Sequence, residues 1–386
     1  MRGLVWWWRG DSKESPRFFL VHCGRAFSSG GLRGSFRYVK LSELDFEYPE
    51  ELVATERADE SRIMLVDGAE SPREISPCQL LEIFRPGDLW VVNETRVLKR
   101  RVFTAQGLEI LFIRSLSADD QEWEVMCPSS RWKSGTIQTV GSVEFEIFER
   151  GRPQKLRASV PLQPDFFLEF GELALPPYIQ KARGERHART EDDREYQSIW
   201  ARGPEASFEN NEGSLAAPTA SFHFDADFLT SLEKRGVGVA KVTLHVGLGT
   251  FLPVTVEDLG DHVMHAESAE ISKATRARIE AVKKSGGRIV AVGTTVTRTL
   301  EAMALGHFQE RPDGSLRGET SLLIRPGFQW RVVDVLLTNF HQPKSTLLAL
   351  VAAFSTIEKV HLVYQWAIKN KFRLFSYGDL TAWLRP

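Results

Sequence analysis

The sequence predicts a large mixed α/β domain with a small all-β domain inserted into it, and two changes along the chain carry this prediction. Between residues 97 and 165, six short β-rich runs are separated mostly by glycine or polar turns. After residue 175, apolar strands alternate with amphipathic helices, as in α/β domains with partly parallel strands. We therefore expect residues 37–96 and 166–386 to form the α/β domain and residues 97–165 to be the insertion.

Residues 1–36 differ from the rest of the chain. They hold three consecutive tryptophans, Trp6 to Trp8, several arginines and a Gly/Ser cluster, without sustained periodicity. The apolar stretch is too short and too interrupted for the core of a signal peptide. We interpret the segment as an extension that is either disordered or the product of a misassigned translation start, with a functional tail as the alternative.

Length and composition limit the class of protein. The chain has 386 residues, of which 42% are hydrophobic and 26% charged, with a net charge of −2. These values fit a folded globular protein and give no argument for nucleic-acid binding, so an RNA-binding surface must be a local basic patch. Three widely spaced cysteines fit a reducing cytosol, and no apolar run approaches the ~20 residues of a membrane helix. We expect a cytoplasmic protein with no membrane segment.

The inserted segment contains the clearest strand pattern. Residues Val143–Phe148 alternate apolar and acidic side chains, as a half-exposed strand does. Six short strands at this spacing indicate a small closed barrel or a sandwich. The six runs are Arg101–Thr104, Glu109–Arg114, Glu122–Met126, Thr136–Val140, Val143–Phe148 and Leu156–Val160.

The α/β part shows alternating strands and helices. Gly236 ends the first main helix, and Ser272 is a suitable N-cap for the second. Ligands bind in open α/β sheets where strands end and helices begin, so these junctions are the places to search. The strands are Ile63–Val66, Leu89–Val92, Val239–Val246, Arg288–Val292 and Val332–Thr338, and the helices are Asp225–Arg235, Ser272–Ser285, Thr297–Leu305, Ser345–Ala353 and Lys359–Asn370.

The first polar junction follows the strand Arg288–Val292. Gly293 ends that strand, Thr294 and Thr295 provide hydroxyl groups that cap the next helix, and Arg298 lies on the helix. Free N–H groups at a helix start can hold a carboxylate or a phosphate. An ordinary N-cap with no ligand is the alternative.

The second junction places Asn339, His341, Lys344, Ser345 and Thr346 within eight residues. Asn339 and His341 point the same way if the segment is extended, and Ser345 or Thr346 caps the following helix. Stability alone is a poor explanation for so many polar groups, so we favour a functional site here.

The third junction contains His245, Gly247, Gly249 and Thr250. The two glycines let the backbone approach a ligand closely. The pattern is neither a dinucleotide fingerprint nor a phosphate loop, because the third glycine and the Gly-Lys-Ser/Thr ending are missing. His245 is either a hydrogen-bonded core residue or a catalyst.

Metal ligation and covalent catalysis receive little support. His262 and His265 form an H-x-x-H pair followed by Glu267, but this spacing does not match the helical zinc sites. No cysteine with a nearby histidine lies in an activating sequence context, and no Ser-centred nucleophile elbow occurs. We expect no metal, and acid–base catalysis by histidines.

Taken together, twelve blocks of this sequence resemble the S-adenosylmethionine:tRNA ribosyltransferase-isomerase family of queuosine synthesis. Each block is weak alone, but they occur in the family's order and cover nearly everything from Leu44 to Leu380. The blocks are Arg85–Leu89, Asn93–Val97, Leu175–Ile179, Tyr196–Gln197, Ala216–Ala220, His223–Phe224, Thr243–Phe251, Met264–Glu267, Ala291–Thr295, Arg298–Glu301, Thr338–Leu348 and Phe375–Asp379.

The resemblance implies a transferase that moves and isomerises the ribosyl part of S-adenosylmethionine. The acceptor would be 7-aminomethyl-7-deazaguanine at the wobble position of tRNA, and the products would be epoxyqueuosine, adenine and methionine. It also implies that the insertion is a six-stranded β-barrel. S-adenosylmethionine is then a co-substrate, no cofactor is bound permanently, and tRNA is the partner of a protein that we expect to be monomeric.

The resemblance also implies site residues. Proton transfers in this reaction need groups that titrate near neutral pH, and the candidates are His223, His245, His265 and His341. Candidates for binding S-adenosylmethionine, including its carboxylate at the helix start, are Gly247, Gly249, Thr250, Thr294, Thr295 and Arg298. Candidates for binding the other substrate are Asn93, Arg96, Tyr178, Asn339, Lys344, Ser345 and Thr346.

Two other functions remain open from the residues alone. One is an α/β transferase that acts on a free nucleotide or sugar. The other is a non-catalytic RNA-binding protein that uses the insertion and the basic segment 183–194. Binding of tRNA that weakens as salt rises would favour an RNA-contacting protein over an enzyme of small metabolites.

Overall fold

A computed structural model describes residues 38–68, 70–128, 130–132, 135–203, 212–250 and 254–385. The predicted extension, residues 1–36, lies outside the described residues. The fold is mixed α/β, with one sheet of ten strands and one of seven. In chain order, the strands are Ile63–Asp67 (β1), Arg73–Ile75 (β2), Leu89–Asn93 (β3), Arg101–Phe103 (β4), Glu109–Ser115 (β5), Glu122–Met126 (β6), Gln138–Val140 (β7), Val143–Glu149 (β8), Gln154–Ala158 (β9), Gly171–Glu172 (β10), Gly238–Leu244 (β11), Glu267–Ile271 (β12), Ile289–Val292 (β13), Gln309–Glu310 (β14), Leu316–Thr320 (β15), Val335–Asn339 (β16) and Leu380–Leu384 (β17).

The ten-stranded sheet has the order β14-β15-β12-β11-β3-β13-β16-β17-β1-β2. Its centre, β11-β3-β13-β16, is parallel, whereas β16 and β17 pair antiparallel. The four central strands therefore end at the same edge. Strand β17 begins at that edge, so the loop that precedes β17 leads to it as well.

Side chains of the central strands alternate between two hydrophobic cores. Leu89 and Val91 pack into one core, and Trp90 and Val92 into the other. A parallel sheet buried on both faces produces continuous apolar runs such as Leu89–Val92, which is why this strand was visible in the sequence.

The helices cover this sheet and connect its strands. The helices predicted to begin at Ser272, Ser345 and Lys359 begin within two residues of those positions. The third helix begins at Thr294 instead of Thr297, so its predicted start is wrong by about one turn. The α-helices are Pro77–Ile83 (α1), Pro164–Phe170 (α2), Pro177–Arg183 (α3), Asp192–Glu195 (α4), Ala226–Lys234 (α5), Lys273–Lys284 (α6), Thr294–Ala304 (α7), Thr346–Phe354 (α8) and Ile357–Lys369 (α9).

The seven-stranded sheet contains all six predicted strands of the insertion, in the order β10-β4-β5-β6-β9-β8-β7. The short strand β10 adds a seventh from outside the predicted segment 97–165. The sheet has a hydrophobic core of its own, with Phe112, Trp123 and Phe145 at its centre. All neighbouring strands in this sheet pair antiparallel, and β10 and β7 are its two edge strands. The strand pairing therefore gives an antiparallel sheet and does not by itself give a closed barrel.

In the described part of the chain, no single helix is both long enough and apolar enough to cross a membrane. Helices α8 and α9 meet that criterion only as a pair, and they are bent by 108° at the break between them.

Candidate active site

The carboxyl ends of the four parallel strands meet around Asn93, the last residue of β3. Its Oδ1 accepts hydrogen bonds from the N–H groups of Leu244 and Thr95, both at 3.1 Å. Its Nδ2 donates to the Leu244 carbonyl at 3.0 Å and to Thr295 Oγ1 at 3.3 Å. Asn93 is fully buried and uses both donors and both acceptor sites. It therefore places the first and third predicted junctions side by side.

His245 follows β11 directly and lies in a chain of hydrogen bonds. Its Nδ1 is 2.9 Å from Thr95 Oγ1, which is 2.8 Å from Ser214 Oγ, and Ser214 Oγ accepts from Val246 N–H at 2.8 Å. The other ring nitrogen, Nε2, lies 4.0 Å from a carboxylate oxygen of Glu212. Burial lowers the pKa of His245 to about 4, so the imidazole is neutral at pH 7.

Glu267, the first residue of β12, joins two other parts of the edge. One carboxylate oxygen accepts from Gly247 N–H at 3.0 Å, and the other forms a buried ion pair with Arg298. Arg298 also donates through Nε to the Leu322 carbonyl at 3.2 Å. Its Nη2 is buried and has no hydrogen-bond partner among the described residues. A buried guanidinium N–H without a partner can accommodate an anionic ligand.

The start of helix α7 lies one turn before Arg298. Its N-cap is Gly293, at φ 97° and ψ 158°, and no side chain caps it. Thr294 and Thr295 are the first helical residues, so the prediction that their hydroxyl groups cap the helix is wrong. Helices α5, α6, α8 and α9 each have a side-chain N-cap. The first turn of α7 thus keeps N–H groups for an anion, as the sequence predicted for this junction.

His223 ends a short 3-10 helix at the same edge, and both its ring nitrogens are hydrogen-bonded. Nδ1 is 2.7 Å from Ser61 Oγ, and Nε2 is 3.0 Å from Nδ2 of Asn339. The Asn339 amide also donates to the Phe375 carbonyl at 3.1 Å. Burial is the main cause that lowers the pKa of His223 to about 3, so it is neutral at pH 7. These contacts fix the loop before β17 to the end of β16.

The second predicted junction divides into separate parts. His341 is buried, has a pKa lowered to about 3 by burial, and bonds through Nε2 to Thr338 Oγ1 at 2.9 Å. Among the described residues, it shares no hydrogen-bond partner with Asn339. Ser345 caps α8 as predicted, Thr346 is the first residue of that helix, and the half-exposed Lys344 pairs with Asp45 at 2.5 Å. The structure therefore gives Lys344 and Ser345 contacts outside the group around Asn93.

Other predicted residues surround these groups. His265 is exposed and lies beside Gly249, where an added Cβ atom would be 3.5 Å from the His265 Cβ. Arg96 donates through Nη1 to a backbone carbonyl at 3.1 Å. The Tyr178 hydroxyl bonds to Ser376, so it reaches the loop that Asn339 holds. The side chain of Thr250 lies outside the described part of the chain.

Four side chains at this edge were not selected from the sequence: Ser61, Thr95, Ser214 and Glu267. Thr95 and Glu267 lie inside sequence blocks that carried the family resemblance, and that was the available signal. Ser61 and Ser214 gave none, since a single serine in a loop is common, and the side chains they bond here, His223 and Thr95, lie 162 and 119 residues away in the chain.

The chain is similar to known proteins over most of its length. A sequence model of the family described as queuosine biosynthesis protein matches residues 41–382. A protein of Azoarcus sp. is 41% identical over 350 residues, covering 88% of this chain and 96% of its own length. One of Cereibacter sphaeroides is 39% identical over 358 residues, covering 88% and 98%. Both are named S-adenosylmethionine:tRNA ribosyltransferase-isomerase.

A solved structure is similar as well. The crystal structure of S-adenosylmethionine tRNA ribosyltransferase from Thermotoga maritima is 28% identical to this chain, with a TM-score of 0.50, and covers 89% of this chain and 100% of its own. The family match covers residues 41–382, and the Azoarcus and Cereibacter proteins are 41% and 39% identical to this chain. This chain therefore belongs to the queuosine biosynthesis protein family, whose curated members above are named S-adenosylmethionine:tRNA ribosyltransferase-isomerase.

Proposed function

We propose that this protein transfers and isomerises the ribosyl moiety of S-adenosylmethionine onto 7-aminomethyl-7-deazaguanine at the wobble position of tRNA. The products are epoxyqueuosine-tRNA, adenine and methionine. Family membership supports this reaction. The structural observation that carries it is one edge of the sheet. The start of α7, which no side chain caps in the described part of the chain, follows β13, and Arg298 with its unpartnered N–H lies one turn into that helix. The neutral His245 follows β11, on the other side of β3.

The start of α7 and Arg298 are suited to the methionine end of S-adenosylmethionine. A carboxylate at the first turn of α7 would meet free backbone N–H groups and the positive end of the helix dipole. Arg298 is held by Glu267, and its buried Nη2 has no hydrogen-bond partner among the described residues, so it keeps a donor for an anion once the ligand displaces the atoms that cover it. We assign the carboxylate of S-adenosylmethionine to this position.

The sulfonium activates the ribosyl carbons, so acid–base groups suffice for the remaining steps. His245 is nearest to this role, because its Nε2 makes no hydrogen bond within the described part of the chain. His223 and His341 are enclosed by protein groups and we assign them to positioning the β16 end. The exposed His265, beside Gly249, is a second group able to exchange protons with substrate.

One assay tests the function. We expect adenine to be released from S-adenosylmethionine only when tRNA carrying the precursor base is present, with epoxyqueuosine appearing in equal amount. Release with the free base or a nucleoside alone would favour the transferase of small metabolites. Binding of tRNA without release would favour the RNA-binding protein.

We further infer that strands β4 to β9 of this sheet close into a six-stranded barrel and form a separate domain within residues 97–165. Its independent core supports the domain, and the 2.9 Å hydrogen bond from Ala105 N–H to the Thr139 carbonyl, across the open side of the sheet, supports closure. We also expect a cytoplasmic monomer that binds S-adenosylmethionine only as co-substrate. Light scattering on the purified protein, with and without tRNA, tests the oligomeric state.

A further inference from the structure

The hydrogen-bond chain at His245 determines which ring nitrogen carries the proton. Ser214 Oγ already accepts from the Val246 N–H at 2.8 Å, and Val246 can act only as donor there. The hydroxyl proton of Ser214 has one acceptor among the described residues, Thr95 Oγ1 at 2.8 Å. Thr95 Oγ1 then receives that proton and directs its own to His245 Nδ1 at 2.9 Å.

The reverse direction leaves a group unsatisfied. If His245 Nδ1 carried the proton, it would donate to Thr95, and Thr95 would donate to Ser214. Ser214 would accept twice, and its own hydroxyl proton would have no acceptor in the described part of the chain. Ser214 is fully buried, where a donor without a partner is strongly disfavoured.

The backbone holds this chain in place. Ser214 N–H donates to the Arg96 carbonyl at 2.8 Å, and the Ser214 carbonyl accepts from Leu98 N–H at 3.0 Å. Thr95 N–H is bound to Asn93 Oδ1 at 3.1 Å. Both hydroxyl groups are therefore fixed between β3 and β11 before any substrate arrives.

We propose that Thr95 and Ser214 are positioning residues that hold His245 as the Nε2–H tautomer, so that it acts as a hydrogen-bond donor to the leaving adenine. The proposal rests on the proposed function. When the bond between the ribosyl carbon and adenine breaks, its electron pair moves to the base. A hydrogen bond from Nε2–H to a ring nitrogen then strengthens as negative charge builds there. Adenine departs as its anion and takes the missing proton from water on release, so His245 keeps its proton.

The surroundings of Nε2 fit a donor. The His245 side chain is 18% exposed, and Nε2 faces the carboxylate of Glu212 at 4.0 Å. Glu212 is itself paired with Arg317, and the charges of Arg202 and Arg317 also act on His245. A carboxylate near an imidazole N–H favours the proton on that nitrogen.

The tautomer can be measured without turnover. In the wild-type protein labelled with ¹⁵N-histidine, we expect NMR at pH 7 to show Nδ1 of His245 unprotonated and Nε2 protonated, with the signal assigned by its loss in His245→Gln. A protonated Nδ1 would overturn the proposal even if the enzyme is active. Absence of adenine release by the wild type would instead count against the proposed function and leave this spectrum unaffected.

Kinetics of Thr95 variants give the second test. We expect Thr95→Val to lower kcat for adenine release by about tenfold to a hundredfold, with little change in the KM for S-adenosylmethionine. In Thr95→Val, the acid limb of the curve of kcat against pH should move to higher pH, because neutral His245 loses a hydrogen bond that stabilises it. Thr95→Ser keeps the hydroxyl group and should restore kcat. The control Thr230→Val removes an exposed helical hydroxyl and should change neither kcat nor the position of the acid limb. Equal loss in Thr95→Ser and Thr95→Val would refute the proposal.

Discussion

At the scale of single residues, the site depends on one amide. Asn93 satisfies two N–H groups and two oxygen acceptors that belong to three different segments. An amide is the neutral side chain that can both donate twice and accept twice, so neither aspartate nor leucine can replace it without leaving a buried group unpaired. The precise fit of β3 to β11 and α7 follows from that inventory.

Replacing Asn93 by Asp should therefore destabilise the protein. The buried carboxylate would face the Leu244 carbonyl, which loses its donor, while the Thr295 hydroxyl can turn to donate to the new oxygen. The unpaired carbonyl and the buried charge should cost about 2–5 kcal/mol of the free energy of unfolding. Urea denaturation at pH 7 measures it. The control Asn370→Asp changes an exposed amide bonded to the Trp366 carbonyl and should cost at most about 1 kcal/mol. Equal costs for the two variants would contradict the role of Asn93.

Arg298 gives a prediction about ligand binding. Lysine cannot keep the Glu267 ion pair and a second N–H for a ligand in the same plane. We expect Arg298→Lys to raise the KM for S-adenosylmethionine about tenfold to a hundredfold. Arg276→Lys, at an exposed pair with Glu310, should leave that KM unchanged. An unchanged KM in Arg298→Lys would contradict the assigned carboxylate position.

At the scale of elements, the junction between strand β13 and helix α7 has two features: its backbone conformation requires glycine, and no side chain among the described residues caps the helix. Gly293 has a positive φ that side chains rarely adopt, and an added Cβ would make only ordinary contact with Ala220, at 3.5 Å. Backbone conformation rather than space therefore requires glycine. This turn aims the first N–H groups of α7 over the strand ends.

Gly293→Ala should consequently lower stability and substrate affinity together. The strained conformation should cost about 1–3 kcal/mol, and the KM for S-adenosylmethionine should rise as the helix start shifts. Gly306→Ala, after the other end of α7, also has a positive φ and should cost stability alone. Thermal unfolding and adenine-release kinetics measure the two effects. A Gly293→Ala enzyme with normal KM would remove α7 from the binding site.

At the scale of the whole molecule, three largely buried histidines make folding sensitive to acid. The pKa values of His223 and His341 are lowered to about 3, and that of His245 to about 4, mainly by burial. Unfolded histidine titrates near 6.5. Unfolding therefore takes up protons between these values, so the stability they contribute is complete above about pH 6.5 and declines as pH falls toward the folded pKa values.

We expect the free energy of unfolding to fall from pH 6.5 to pH 5 by up to about 1.4 kcal/mol per pH unit for each histidine. Carboxylates of an unfolded chain titrate near pH 4, below this window, so we assign the slope mainly to the histidines. Urea titrations at several pH values measure it. His341→Gln should reduce the slope by one proton, whereas the exposed His265→Gln should not. A pH-independent wild type would show that these histidines are not buried in neutral form.

Much of the fold was predictable because its signals are local. The six strands of the insertion and the helix capped by Ser272 were found from alternation and capping, which depend on neighbouring residues. The start of α7 was placed a turn late, because the local pattern does not show that Gly293 turns the chain directly from strand to helix. In the polar segment 181–194, Arg183 and Asp192 form a buried ion pair, and the local sequence pattern did not predict it.

The sequence by itself determined the α/β class, the family resemblance and most members of the site, since composition, periodicity and ordered blocks are written along one dimension. Only the tertiary structure decided which of them meet. Strand β3 lies between β11 and β13, although each is more than 140 residues away in the chain. That order gives Asn93 and Thr95 their partners and separates Asn339 from Lys344. It also leaves one N–H of Arg298 without a partner in the described part of the chain. Such contacts depend on strand order and burial, which no local pattern encodes.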